Sequence, residues 1–187
     1  MEKKYFESSK MKKNNFATVR QAEDLAKKII RKGTFQWLQA AAEDGFTHFK
    51  NIKDLNSIKI LPKHLAKIIK ADFSKMFFNN KIISPLILSP MGHQTQFNKL
   101  GEIEMAEGIN LAQTIGIFGT QGRMSLNDIR KKNTTAKIAW TIFPFGNKKW
   151  IIDQIKSAEK NKCTAIVICI DANVRSYRYL DRELLNY

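Results

Sequence analysis

The sequence predicts an α/β protein, a partial (β/α)8 barrel of about four βα units preceded by N-terminal helices. Three observations carry that prediction. From Ser84 onward, apolar runs of strand length alternate with amphipathic segments of helix length, which calls for a parallel sheet. The last run, TAIVICID, is apolar at nearly every position, as a strand covered on both faces must be. Such a series fits an open doubly wound sheet or part of a barrel, and the loops separate the two. No GxGxxG follows the first run, so the dinucleotide fingerprint of the open fold is missing. Pro90-Met91-Gly92-His93, Gly119-Thr120, Phe143-Pro144 and Asp171 instead fall at the C-terminal ends of the runs, where a barrel places its chemistry.

Taken in order, residues 1–16 are polar and charged and are expected to fray. Residues 17–83 read as N-terminal helices and an extended lead-in. TVRQAEDLAKKIIRKG has helical spacing, with Leu25, Ile29 and Ile30 on one side and Gly33 as the expected stop. TFQWLQAAAEDG follows as a second helix, favoured by its alanines and expected to end at Gly45. In DFSKMFFNNKII the pair Asn79-Asn80 predicts a turn between two extended pieces. Residues 84–187 form the barrel half. PLILSP, GIFGT, AKIAWTIFP and TAIVICID are the four strands, and GEIEMAEGINLAQTI, SLNDIRKK and NKKWIIDQIKSAEKNK are the helices between them.

Composition narrows the classes of function. At 187 residues and 43% hydrophobic, the chain is long enough for one domain with a core. It holds no run of about 20 apolar residues, so no membrane span is expected, and its charged start lacks a secretory apolar segment. A cytoplasmic location is the expectation. The net charge is +15, of which residues 1–32 carry ten basic against four acidic side chains. The remainder is spread thinly and is mostly lysine. There is no aromatic RNA-binding motif and no arginine-rich recognition helix, so a solvated lysine-rich surface is preferred over nucleic-acid binding. Cys163 and Cys169 flank one strand, where ~3.3 Å per residue separates their α-carbons by roughly 20 Å, too far to bridge. His48, His64 and His93 are far apart in sequence, and no metal site is expected.

Five segments in order then resemble one family. They are Ala42-Glu43-Asp44-Gly45-Phe46-Thr47, Leu61-Pro62-Lys63, SPLILSPMG, Gly101-Glu102 and AIVICIDANVRSYRYLD, together running from about Thr34 to Leu184. The chain is similar to the N-terminal half of the FMN-dependent α-hydroxy-acid dehydrogenase/oxidase family, the group of the glycolate oxidase and L-lactate oxidase type. The resemblance implies a complete (β/α)8 barrel, of which this chain supplies four strands. It also implies hydride transfer from the α-carbon of an L-2-hydroxy acid, such as lactate or glycolate, to FMN.

The resemblance assigns expected roles. Asp171 falls on the acid that orients the base histidine, and Arg178 on an arginine lining the substrate site. Trp37 and Phe143 stand where the family has substrate-binding tyrosines, each lacking the hydroxyl. The backbone of Pro90, Met91 and Gly92 is expected against the flavin ring. Gly119 or Thr120 matches an FMN-contacting serine, Thr141 a glutamine and Cys169 a threonine. No histidine of this chain matches the base. The base, the main carboxylate arginine and the phosphate loops of the family fall beyond residue 187. Lost hydrogen bonds at about 0.5–1.5 kcal/mol each predict an FMN affinity weakened by ~2–5 kcal/mol before the phosphate site is counted. The expectation is therefore a truncated homologue that binds FMN weakly or not at all and is inactive without a C-terminal half. Its expected partners are a C-terminal half-barrel polypeptide or a second copy, because open strand edges recruit company. The competing reading is a non-enzymatic basic binding protein, or a decayed remnant, on a half-barrel scaffold.

Overall fold

The computed structural model describes residues 16–62, 64–65, 70–171 and 177–178. Most of the expected polar tail, positions 1–15, lies outside the described residues, as do Lys63 and positions 172–176 and 179–187 of the matched segments. The chain divides into two compact units, one of residues 1–48 with 177–187 and one of residues 49–176.

In the first unit, helix α1 (Val19–Ile29) starts where the Thr18 hydroxyl accepts from the Gln21 N–H at 3.2 Å. The Gln21 side chain in turn accepts from the Ala17 N–H at 2.7 Å, one residue before the N-cap. Lys27 and Lys28 in the last turn suit the negative end of the helix dipole. The helix ends at Ile30, short of the expected stop at Gly33. Gly33 lies instead inside α2 (Lys32–Gln39), whose buried residue is Phe35. Burying that ring outweighs the ~1 kcal/mol that a helical glycine costs relative to alanine. The second correction is at the other end of α2. The three alanines do not extend it, and the chain turns through Glu43 and Gly45 at φ of 48° and 75°. The Glu43 N–H there donates to the Tyr177 carbonyl at 2.7 Å, a bond that a continued helix would forgo. Helix α3 (Phe46–Ser57), which was not foreseen, follows directly.

The second unit holds a hairpin and a parallel sheet. β1 (Lys75–Phe77) and β2 (Asn80–Ile82) pair antiparallel around the two-residue turn Phe78-Asn79. Both turn residues have positive φ, 45° and 57°, the type I′ geometry that matches strand twist. The parallel strands β3 (Ile115–Gly119), β4 (Lys137–Ile142) and β5 (Ala165–Ile168) lie in the order β3-β4-β5. Between them run α4 (Glu102–Leu111), α5 (Leu126–Lys132) and α6 (Lys148–Lys160). Ser125 and Asn147 cap α5 and α6, accepting from the Asp128 and Trp150 N–H groups at 3.1 and 2.9 Å.

PLILSP forms less than the expected strand. Leu88 alone bridges to Gly116, donating to the Ile115 carbonyl and accepting from the Ile117 N–H, both at 3.0 Å. Pro85 and Pro90 remove donors on either side of it, and among the described residues nothing pairs with its outer edge. Each strand step nonetheless goes the same way along the sheet. With right-handed crossovers this sets all the helices on one face, the winding of a barrel rather than of a doubly wound sheet. The structure is a partial (β/α)8 barrel whose sheet is not closed.

The helix-facing side of the sheet carries the main core, built from Phe118, Ile138, Trp140 and Ile142 against Ala106, Ile109, Leu126, Ile129 and Ala158. On the opposite side Ile115, Ala139 and Val167 pack under Ile82 and Phe77 of the hairpin. The Lys137 ammonium donates to the Lys81 carbonyl, and the Ile83 N–H to the Gln113 carbonyl. The hairpin thereby sits at the N-terminal ends of the strands, leaving the C-terminal ends to carry the loops.

Candidate functional site

Alternation along the strands decides which side chains can meet at those C-terminal ends. In β3 and β4 the residues that face away from the helices are odd-numbered, so Gly119 and Thr141 share that face and stand opposite each other in the register. A Cβ on Gly119 would lie 2.8 Å from both the Thr141 Cβ and its carbonyl oxygen. Only glycine lets the two strands carry Thr141 there. Thr120 ties the strand ends together: its N–H donates to the Thr141 carbonyl at 3.0 Å, and its hydroxyl oxygen accepts from the Phe143 N–H at 3.3 Å.

Above these residues the loop 90–94 folds over. The Gln94 side-chain amide donates to the Met91 carbonyl at 3.0 Å, and the His93 N–H to the Gln121 carbonyl at 3.5 Å. The result is a cavity of about 150 Å³ walled by Pro90, Met91, Gly92, Gly119, Gln121, Gly122, Thr141 and Phe143. Thr141 is 3% exposed, and its hydroxyl oxygen has no hydrogen-bond partner. A buried hydroxyl left unpaired costs about 1–3 kcal/mol, so the cavity wall presents a polar atom awaiting a partner.

The structure thus brings together six of the expected residues: Pro90, Met91, Gly92, Gly119, Thr141 and Phe143. Between the two candidates for the serine position, Gly119 borders this cavity, whereas Thr120 does not and acts as the clamp between strand ends. Cys169 and Asp171 pair at the end of β5, where the Cys169 thiol donates to the Asp171 carboxylate at 3.0 Å. The Cys169 N–H donates to the Ile142 carbonyl at 3.1 Å, continuing the β4–β5 pairing past the strand's last residue. Asp171 is exposed. In the first unit, the Arg178 guanidinium lies 5.4 Å from the centre of the Trp37 ring, within cation–π range. The two expected substrate residues are therefore neighbours across 141 positions of sequence.

Sequence reasoning missed Gln121 and Gly122. The signal available was the spacing of two glycines three apart, Gly119 and Gly122, in a loop leaving a strand, a pattern that marks close backbone approach. A Cβ at Gly122 would sit 2.6 Å from a carboxylate oxygen of Glu102, itself 2% exposed at the start of α4. Both cysteines are free thiols, and burial pushes Cys163 up to about 11 despite the nearby Arg130.

An FMN ring system fits what this wall offers. The Gly92 and Gly119 backbone can approach a flat ring closely, and the Thr141 hydroxyl can bond a heteroatom on its edge. At about 150 Å³ the cavity is smaller than the ~300 Å³ of ordinary ligand pockets, so it takes an edge of a ring system and not a whole cofactor.

Comparison with known proteins identifies the family. A family model described as FMN-dependent dehydrogenase matches residues 26–186. An L-lactate oxidase of Streptococcus iniae is 30% identical over 175 residues, which are 90% of this chain and 42% of that protein. A 2-hydroxyacid oxidase of Dictyostelium discoideum is 22% identical over 169 residues, 90% of this chain and 43% of that one. Among solved structures, a soluble mutant of the membrane-associated (S)-mandelate dehydrogenase of Pseudomonas putida superposes with a TM-score of 0.83 at 20% identity. It covers 92% of this chain and 48% of that structure, a likeness that speaks for the fold alone. The chain spans about half the length of the curated relatives it matches. No helix among the described residues is long and apolar enough to cross a membrane. With the family model covering most of its length, the chain belongs to the FMN-dependent dehydrogenase family.

Proposed function

We propose that this chain forms the ring-binding half of an FMN-dependent 2-hydroxy-acid oxidoreductase, acting in the cytoplasm on a small L-2-hydroxy acid such as lactate. The observation that carries the reading is the cavity at the strand ends, where Gly92, Gly119 and the unpartnered Thr141 hydroxyl converge. FMN, when bound, would supply the acceptor for the hydride, with its two electrons, from the α-carbon of the 2-hydroxy acid. The chain's own residues bind and orient. The backbone of residues 90–92 and Gly119 forms a flat wall, Thr141 fixes one edge by a hydrogen bond, and Phe143 excludes water from it. Asp171, bonded to Cys169 past the end of β5, would stabilise the cation of a base histidine. Arg178, whose guanidinium lies over the Trp37 ring, would take a substrate carboxylate.

The relatives extend about twice as far, and the reading assigns the base histidine and the phosphate-binding loops to the half that this chain does not match. That half comes either as a continuation of the polypeptide or as a second polypeptide docked on the open sheet edges. The test is to co-express the chain with the C-terminal half of a lactate-oxidising relative, purify the complex with FMN and record its visible spectrum under anaerobic L-lactate. Retained flavin that bleaches with lactate, and that is held about 3–10-fold more weakly in Thr141→Val, is the expected result. A complex that forms yet holds no flavin overturns the proposal.

A further inference from the structure

We infer that a second cavity, on the helix side of the sheet between α5 and α6, binds a small planar organic carboxylate. It measures about 340 Å³, inside the range of small-molecule sites. Its chemistry differs from that of the strand-end cavity, and the inference does not depend on the flavin reading.

Two indoles and a set of donors define it. Trp140, in the middle of the sheet, borders the cavity. It is 4% exposed, and its indole N–H has no hydrogen-bond partner. Buried donors in native proteins are met by water or by a ligand, because leaving one unmet costs about 1–3 kcal/mol. Trp150 on α6 borders the cavity as well, its ring lying against the backbone at residue 146. A Cβ on Gly146 would stand 2.5 Å from that ring, so only glycine lets the indole lie there. Arg123, exposed and in no ion pair among the described residues, stands at the wall with Gln154 and Ser157 from α6. No acidic side chain borders the cavity. A guanidinium with neutral N–H and O–H donors selects a carboxylate, and indole faces select a flat apolar ring. A ligand carrying both groups satisfies every feature of the wall at once.

The full chain, labelled with ¹⁵N, provides the test, because each of the three tryptophans gives its own indole N–H resonance. Trp37 reports on the first unit, while Trp140 and Trp150 report on this cavity. Benzoate is the probe. The expected result is a downfield, saturating shift of the Trp140 indole N–H with a Kd of about 1 mM, weakened about tenfold in Arg123→Gln. Acetate, which lacks the ring, should bind at least about tenfold more weakly. Assignment uses Trp37→Phe and Trp150→Phe, leaving Trp140 by elimination, so the result does not hang on a core substitution at Trp140. A Trp140 resonance that stays fixed while Trp37 moves, or an affinity indifferent to Arg123→Gln, overturns the inference.

Discussion

Two glycines of this chain predict effects of opposite sign. Gly119→Ala places a methyl carbon 2.8 Å from the Thr141 Cβ and from the Thr141 carbonyl oxygen. Neither can swing aside, because one is a branch point on a buried strand residue and the other accepts the Thr120 N–H. Ordinary carbon contacts lie at about 3.5–4.0 Å, so the strands must part by several tenths of an ångström. Overpacking of this kind costs about 1–3 kcal/mol. Gly108, midway along α4, is the contrast: a Cβ there meets nothing within 4 Å. Gly108→Ala gains helix propensity and should stabilise by about 0.5–1 kcal/mol. At about 2–4 °C per kcal/mol for a chain of this size, Gly119→Ala should melt about 2–12 °C below the parent and Gly108→Ala about 1–4 °C above it. Thermal unfolding followed by circular dichroism reads both. Equal melting of Gly119→Ala and the parent, or a drop for Gly108→Ala, would refute the reading of the β3–β4 contact and of the open helix face.

The other predictions concern single groups. Thr141→Val removes an unpartnered buried hydroxyl, so chemical denaturation should show stability unchanged or raised by up to about 1 kcal/mol, while FMN affinity in a complemented complex falls about 3–10-fold. With Cys163 pushed up to about 11, iodoacetamide at pH 8 should label Cys169 and leave Cys163 unmodified in the folded chain. The Cys163 thiol gains no charge until the pH nears 11, whereas an unfolded thiol ionises nearer 8.5; stability therefore falls as pH rises through that interval, and mass spectrometry should show Cys163 labelling only toward its upper end. Asn147→Ala deletes the cap on α6 and should cost about 1 kcal/mol in denaturant unfolding, with Asn147→Ser restoring most of it.

The parts of the fold that were legible in the sequence are those where one physical demand acts alone. GIFGT and AKIAWTI are covered on both faces and form β3 and β4, and α5 and α6 carry their own caps at Ser125 and Asn147. TAIVICID, the run expected to be covered on both faces, forms instead the last strand β5 of the open sheet, with Ile166 38% and Ile168 52% exposed. The hairpin was legible from Asn79-Asn80, but its turn falls one residue earlier, at Phe78-Asn79, with Asn80 opening β2; asparagine tolerates left-handed φ, whereas Phe78 takes that conformation without any such preference. Where two demands competed, sequence reasoning failed. Gly33 is a helix breaker by propensity, but the burial of Phe35 decides the start of α2. PLILSP has the composition of a central strand and only the pairing of a single bridge, because strand status needs neighbours that a local reading cannot supply. Helix α3 escaped notice since Phe46, Phe49, Ile52 and Leu55 recur every third residue, a stripe that drifts round the helix, and all four are exposed. Of the candidate site, the wall residues Pro90, Met91, Gly92, Gly119, Thr141 and Phe143 were readable from motif resemblance. The cavity around Trp140 was not, since its wall joins Arg123, ahead of α5, to Ser157 on α6, and no local pattern encodes that.

The end of β3 and the loop leaving it border two cavities at once, for Gly119 and Gly122 belong to the wall of each. The Thr120 clamp ties this partition of four residues to β4, so the two chambers share one fixed wall. A substitution in that wall is therefore felt in both chambers. Substitutions selected for a tighter grip on one side would register as altered occupancy on the other, and the two chambers would drift together under mutation even though their occupants share no chemistry.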